Sequence, residues 1–154
     1  MNTKRAEGGY GMTMTCASHV HALGQGFEGQ LGCFHDGHVE GLGLLASAIR
    51  EAGSLSSVQL HHAGMRSPAQ IIRERPLCPS ENLRSGARAL SIDEVRDLVE
   101  AFVRAAERAD EAGFTDPERG RVVVTVDLDG DGRHDRGLVL SLAFSDIHAY
   151  KAFL

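Results

Sequence analysis

The side chains of this chain best able to do chemistry crowd into its first half. His19 and His21 stand in SHVH, Cys33, His35 and His38 in CFHDGH, and His61 beside His62 in QLHHAG. Histidine changes charge near neutral pH, so such a set suits proton transfer, hydrogen bonding to an oxygen, or metal ligation. His19-x-His21 with Cys33-x-His35-x-x-His38 offers nitrogen and sulfur donors to zinc, at spacing looser than the paired ligands of structural zinc sites. Unliganded loop histidines are the ordinary alternative. Gln59, two residues before the histidine pair, carries an amide that both donates and accepts; alone, it equally well faces solvent. Cys16 ends an apolar run with nothing adjacent to activate its thiol, and reads as a packed residue.

A different chemistry is suggested near the C-terminus. Asp127, Asp129, Asp131 and Asp135 surround Gly132 in DLDGDGRHD. Alternate carboxylates followed by a glycine can wrap a hard cation such as calcium, the glycine permitting the sharp turn. Leu138 stands where an EF-hand places its bidentate glutamate, and Arg133, His134 and Arg136 offset part of the negative charge. The competing reading is a solvated turn, for which aspartate and glycine are equally suited.

These groups need a frame. YGMTMTC (residues 10–16) reads as a buried strand, and the glycine-rich residues 17–35 as a long loop. Asp36 is placed to cap a helix over residues 36–52, with Val39, Leu42, Leu45, Ala48 and Ile49 on one face and Gly53 past its end. SSVQL (residues 56–60) reads as a second strand, and residues 65–90, marked by Pro68, Pro76 and Pro79, as loop. The clearest element is a helix over residues 91–112. Ser91 and Glu94 have capping-box spacing, Ile92, Val95, Val99, Phe102, Ala106 and Ala109 recur at helical spacing, and Gly113 supplies the stop. VVVTV (residues 122–126) and LVLSLAF (residues 138–144) then read as two strands of a hairpin around the aspartate loop. The order of strands and helices is that of an α/β domain with parallel strands and helical crossovers.

Composition narrows the function. The chain has 154 residues, 42% hydrophobic and 24% charged, enough for one core. A formal charge of −5 and a pI near 5.9 leave no basic stripe for nucleic acid. No apolar run reaches membrane-spanning length, the N-terminus lacks an apolar signal segment, and the three cysteines form no framework. The expectation is a soluble cytoplasmic chain that binds neither nucleic acid nor membrane.

Taken in order, RAEGGYGMTMTCASHVHALGQG, SVQLHHAGMRSP and GARALSIDEVRDLVEAFVRAAERADEAGF resemble the Old Yellow Enzyme (NADH:flavin oxidoreductase) family from its second barrel strand to its fourth, over about residues 5–114. The resemblance implies a partial TIM (β/α) barrel with parallel strands (residues 1–114), followed by a divergent, β-hairpin-like segment (residues 115–154). It implies FMN as cofactor, NAD(P)H as reductant and an activated alkene as small-molecule substrate, with reacting groups at the C-terminal ends of the strands. By residue-level match, Ala17 leaves room beside the flavin ring, Gln59 pairs with its pyrimidine edge, and His61 and His62 lie near its face. His148 and Tyr150 resemble the end of a family motif that holds the substrate carbonyl and donates a proton, although Ser145 stands where its first partner belongs. The family's first strand and its phosphate-binding strands have no counterpart here, so a truncated oxidoreductase is expected. The alternative is a non-catalytic calcium-binding or interaction module reusing part of a barrel. An open parallel edge invites pairing, so a homo-oligomer or a complementary barrel fragment is expected as partner. The flavin reading requires Ala17 and Gln59 to meet at neighbouring strand tips.

Overall fold

The computed structural model describes residues 1–116, 121–126 and 139–143. A short helix α1 (Asn2–Glu7), not foreseen in the sequence, buries Ala6 and packs beside β1 (Met12–His19). β1 runs three residues beyond the expected strand, into the segment read as loop. The rest of that segment is tied down by a 3-10 turn over Ala22–Gly24 and another over Asp36–His38.

The second turn leads into α2 (Val39–Glu51), which turns Leu42, Ala46 and Ile49 inward. The cap here is His35 rather than Asp36: its Nδ1 accepts the Gly37 N–H at 3.0 Å, and His38 Nδ1 accepts the His35 N–H at 3.2 Å. Gly53, at φ +83°, turns the chain into β2 (Leu55–His61). The proline-marked stretch that follows is less irregular than expected, holding one helical turn α3 (Ala69–Ile72) and a two-stranded parallel pair, β3 (Leu77–Cys78) with β4 (Arg88–Ala89).

The helix read most clearly from sequence is α4 (Ile92–Glu111). Its capping box is formed as expected, with the Glu94 N–H donating to Ser91 Oγ at 3.2 Å and the Ser91 N–H to Glu94 Oε2 at 2.8 Å. Arg88 holds the same carboxylate through both oxygens, at 3.0 and 2.6 Å. The apolar stripe, however, is buried only in its second half. Val103, Ala105, Ala106 and Ala109 are covered, whereas Ile92 and Val95 are 73% and 45% exposed. The sheet underlies the C-terminal turns alone, where alanines let helix and strand approach closely.

β5 (Thr115–Asp116), β6 (Arg121–Val126) and β7 (Val139–Ala143) complete the main sheet. β1, β2 and β6 are parallel and adjacent in that order, and β5 and β7 pair antiparallel with β6. The expected β6–β7 hairpin is present, and its first strand also extends the parallel sheet. Both crossover helices lie on one face, because Leu42 and Ala46 of α2, Ala105, Ala106 and Ala109 of α4, and Val58 and Leu60 of β2 share a single core with Phe114. Successive parallel neighbours with both crossover helices on one face describe a sector of a (β/α) barrel, not a doubly wound sheet. Leu60, Val58 and Phe114 are fully buried, each such side chain contributing about 1.5–3 kcal/mol. None of the described helices is long and apolar enough to cross a membrane.

Candidate functional site

The parallel register pairs Ala17 with Gln59, Ser18 with Leu60 and His19 with His61. Directly paired residues point to the same face of a sheet. Since Leu60 joins the helix-side core, Ala17 and Gln59 project together from the opposite face, at the C-terminal ends of β1 and β2.

The alignment depends on a bulge, because the register shifts between Met14 and Ala17. The hydroxyl of Thr15, itself buried, fills the gap: it accepts the Gln59 N–H at 3.3 Å and donates to the Cys16 carbonyl at 2.9 Å. A bulge bends the strand and re-aims the residues after it. Cys16 is thereby left exposed, contrary to the packed position expected of it.

Residues 20–33 fold back over both tips. The His19 N–H donates to the Leu31 carbonyl and the Cys33 N–H to that of His19, each at 2.9 Å, while the Val20 N–H donates to His61 O at 3.0 Å and the Ala63 N–H to Gly24 O at 2.9 Å. Gln30 links this loop to Ala17 through its side chain. Its Oε1 accepts the Gly26 N–H at 2.6 Å and its Nε2 donates to the Ala17 carbonyl at 2.9 Å. Gly24 lies so close to the His62 ring that a Cβ there would stand 2.5 Å from His62 Cδ2. Glycine is required by contact.

His62 is 9% exposed. Its Nδ1 accepts the Gly64 N–H at 3.0 Å, so the neutral ring carries its proton on Nε2. That nitrogen is buried and has no hydrogen-bond partner among the described residues. Burial first, then the nearby His21, His61 and His19, push the His62 pKa down to about 4. His62 is therefore a neutral donor at physiological pH. His19 is also shifted down, chiefly by burial, and its Nδ1 faces the His21 carbonyl at 3.0 Å, which fixes the opposite tautomer. Its ring packs at a tilt against Phe34, which packs at a tilt against His38, each at 4.8 Å between centroids.

The zinc arrangement is not formed: no group of three or more histidines, cysteines or acids among the described residues could hold a metal ion. Nδ1 of His21, His35 and His38 each accept a backbone N–H, which leaves the proton of the neutral ring on Nε2. Asp127, Asp129, Asp131 and Asp135, and also His148 and Tyr150, lie outside the described residues.

A planar, hydrogen-bonding group fits what remains. Ala17 presents only a methyl, Gln59 carries an amide that both donates and accepts, and His62 keeps a buried N–H with no partner among the described residues. An amide and an unpaired ring donor at the end of the same strand suit a heterocycle with acceptors and donors on its edge. Sequence reasoning missed Thr15, Gly24 and Gln30. The polar QLG after a run of glycines was the available signal for Gln30, but its partner lies 13 residues away.

Comparison with known proteins agrees with this geometry. The family model described as NADH:flavin oxidoreductase / NADH oxidase matches residues 2–116. A probable NADH-dependent flavin oxidoreductase of Bacillus subtilis is 38% identical over 108 residues, covering 68% of this chain and 29% of the relative. An NADPH dehydrogenase of Geobacillus is 37% identical over 112 residues, covering 71% and 33%. The chain thus spans about a third of the length of the curated relatives it matches. Among solved structures, an Old Yellow Enzyme homologue from Zymomonas mobilis superposes with a TM-score of 0.66 at 26% identity, over 81% of this chain and 37% of that one. A morphinone reductase variant in complex with tetrahydroNAD gives 0.68 at 25% identity, over 81% and 38%.

Proposed function

Because the chain belongs to the NADH:flavin oxidoreductase / NADH oxidase family, we propose that residues 1–114 form the flavin-facing sector of an FMN-dependent oxidoreductase, with Ala17, Gln59 and His62 as cofactor-binding residues. The observation that carries this reading is the pairing of Ala17 with Gln59 at adjacent strand tips; the end of the second strand also carries a buried His62 Nε2–H that has no protein partner among the described residues. Bound FMN would supply hydride transfer from NAD(P)H to an activated alkene. The chain's own contribution is recognition and orientation. Gln59 offers a donor and an acceptor to the pyrimidine edge, Ala17 leaves the ring space, and His62 holds its proton at Nε2 for a flavin oxygen or nitrogen. His148 and Tyr150 are the proposed substrate-side pair, in a segment appended to the sector, and closure of the barrel is assigned to a second copy or a complementary segment. The working environment is the cytoplasm.

The test is direct. Incubated with FMN and freed of excess, the chain should retain a flavin absorption band, and Gln59→Leu should weaken binding about tenfold, the cost of an unpaired buried edge. A colourless product with no thermal shift removes the proposal. A calcium-binding role for residues 127–135 is favoured by their DxDxDG spacing alone. An unchanged Tm on adding calcium or EDTA, with Asp129→Asn silent, removes that second reading.

A further inference from the structure

At the outer edge of β1 the backbone of residues 31–33 pairs with His19 through its N–H and its carbonyl. In an extended strand alternate residues direct their backbone groups to the same edge, so the Ala17 carbonyl faces that edge too. Among the described residues no backbone segment outside the strand donates to that carbonyl. The side chain of Gln30 does so instead, its Nε2 donating to Ala17 O at 2.9 Å. The other end of the same amide draws in Gly26, whose N–H donates to Oε1 at 2.6 Å. Gly26 in turn lies against the end of β2, since a Cβ on it would stand 3.2 Å from that of Ala63 and 4.0 Å from His61 Nε2. One side chain, 7% exposed, therefore ties the tip of β1 to the loop that crosses the tip of β2.

We propose that Gln30 is a positioning residue for flavin recognition: by holding the Ala17 carbonyl and the Gly26 N–H at once, it fixes the orientation in which Ala17 and Gln59 face the ring. This extends the flavin reading and rests on it. The amide is needed as an amide. A carboxylate could accept from Gly26 but would set negative oxygen against the Ala17 carbonyl, and an apolar side chain would leave both backbone groups unpaired.

Two variants of the full chain, Gln30→Leu and Gln30→Glu, separate the halves of this bridge at pH 8. Gly26 amide exchange should accelerate in Gln30→Leu and stay slow in Gln30→Glu. The FMN dissociation constant should rise about tenfold in both, as expected for a lost hydrogen bond that leaves a partner unsatisfied, and the absorption bands of the bound flavin should shift relative to the wild type. Should Gln30→Leu fail to fold, Gln30→Glu decides alone. Wild-type affinity together with a wild-type flavin spectrum in Gln30→Glu overturns the positioning role while leaving the flavin reading in place. A wild-type chain that retains no FMN overturns that reading and this extension with it.

Discussion

On the helix side of β2, Val58 and Leu60 disappear beneath Leu42, Ala46, Ala105, Ala106, Ala109 and Phe114. Beyond the C-terminal tips of the same strands the chain is built from Thr15, Gln30, Gln59, His62 and close-packed glycines, tied by hydrogen bonds spanning up to 44 residues of sequence. The first region is satisfied by shape, because apolar atoms need only to be covered. In the second, each polar group needs a particular partner at a particular angle, and the His62 Nε2–H lacks one among the described residues. An apolar core with an unfilled demand would be a defect. A polar cluster with an unfilled demand at the C-terminal ends of parallel strands is where the proposed flavin would complete the structure.

The largest effect should come from emptying the first region. Phe114 is fully buried, so Phe114→Ala should cost about 3–5 kcal/mol by loss of transfer energy and creation of a cavity. Denaturant titration measures it, and the flavin affinity of the molecules that remain folded should be unchanged. If affinity falls as steeply as stability, the two regions are not separable.

Acid probes the second region. The folded His62 pKa of about 4 lies below the 6.5 of an unperturbed histidine, so between those values the unfolded chain binds the proton and the native one does not. Stability from the neutral ring is therefore complete above 6.5 and lost as pH falls toward 4. Between pH 7 and pH 5 the loss should be about 2 kcal/mol. His19 shifts in the same direction, so His62→Asn serves as the control: the pH dependence should shrink by about that amount. An identical pH profile in the variant would show that the buried imidazole is not what makes the tips acid-sensitive.

A smaller effect belongs to the start of α4. Ser91→Ala removes the acceptor of the Glu94 N–H and should cost about 1 kcal/mol, with no change in flavin binding, since the cap lies outside the strand-tip cluster described above. Thermal denaturation gives the first quantity and flavin titration the second.

How far each region could be read from sequence follows from the range of its interactions. The capping box of α4 was legible because Ser91 and Glu94 are three residues apart, and the βαβ order because each hydrophobic run is local. The meeting of Ala17 and Gln59 was legible only through the family phrases that contain them. Nothing local announced the bulge, since Thr15 serves an amide 44 residues away. The polar QLG did not suffice to assign Gln30 either, because its surroundings read as loop and its partner Ala17 lies 13 residues away. The polar SH after Ala17 hid the last residues of β1 because it breaks apolar alternation, although Ser18 and His19 are both buried. The stripe on α4 was legible as periodicity, but which half of it meets the sheet depends on where the strands lie, and Ile92 and Val95 are exposed for that reason.

The smallest expected effect gives the comparison an order in pH. Asp36 at the start of the α2 segment receives Arg108 Nε of α4 at 2.6 Å, and that hydrogen bond first, then the guanidinium charge, holds its carboxyl below the ordinary value of 3.8. A carboxylate depressed in the folded state stabilises above its unfolded pKa and ceases to do so as pH falls through the folded one. The helix side therefore loses this contribution only below 3.8, after His62 has already begun to lose its own below 6.5. Asp36 is 86% exposed, so salt screens the pair and the difference between wild type and Asp36→Asn should shrink at high ionic strength. In a stepwise acid titration followed by amide exchange, Gly24 and Gly26 should lose protection at higher pH than the amides of α2 and α4. Simultaneous loss would mean that strand tips and helical face open as one unit, and that the tips are not the separately adjustable part of the molecule.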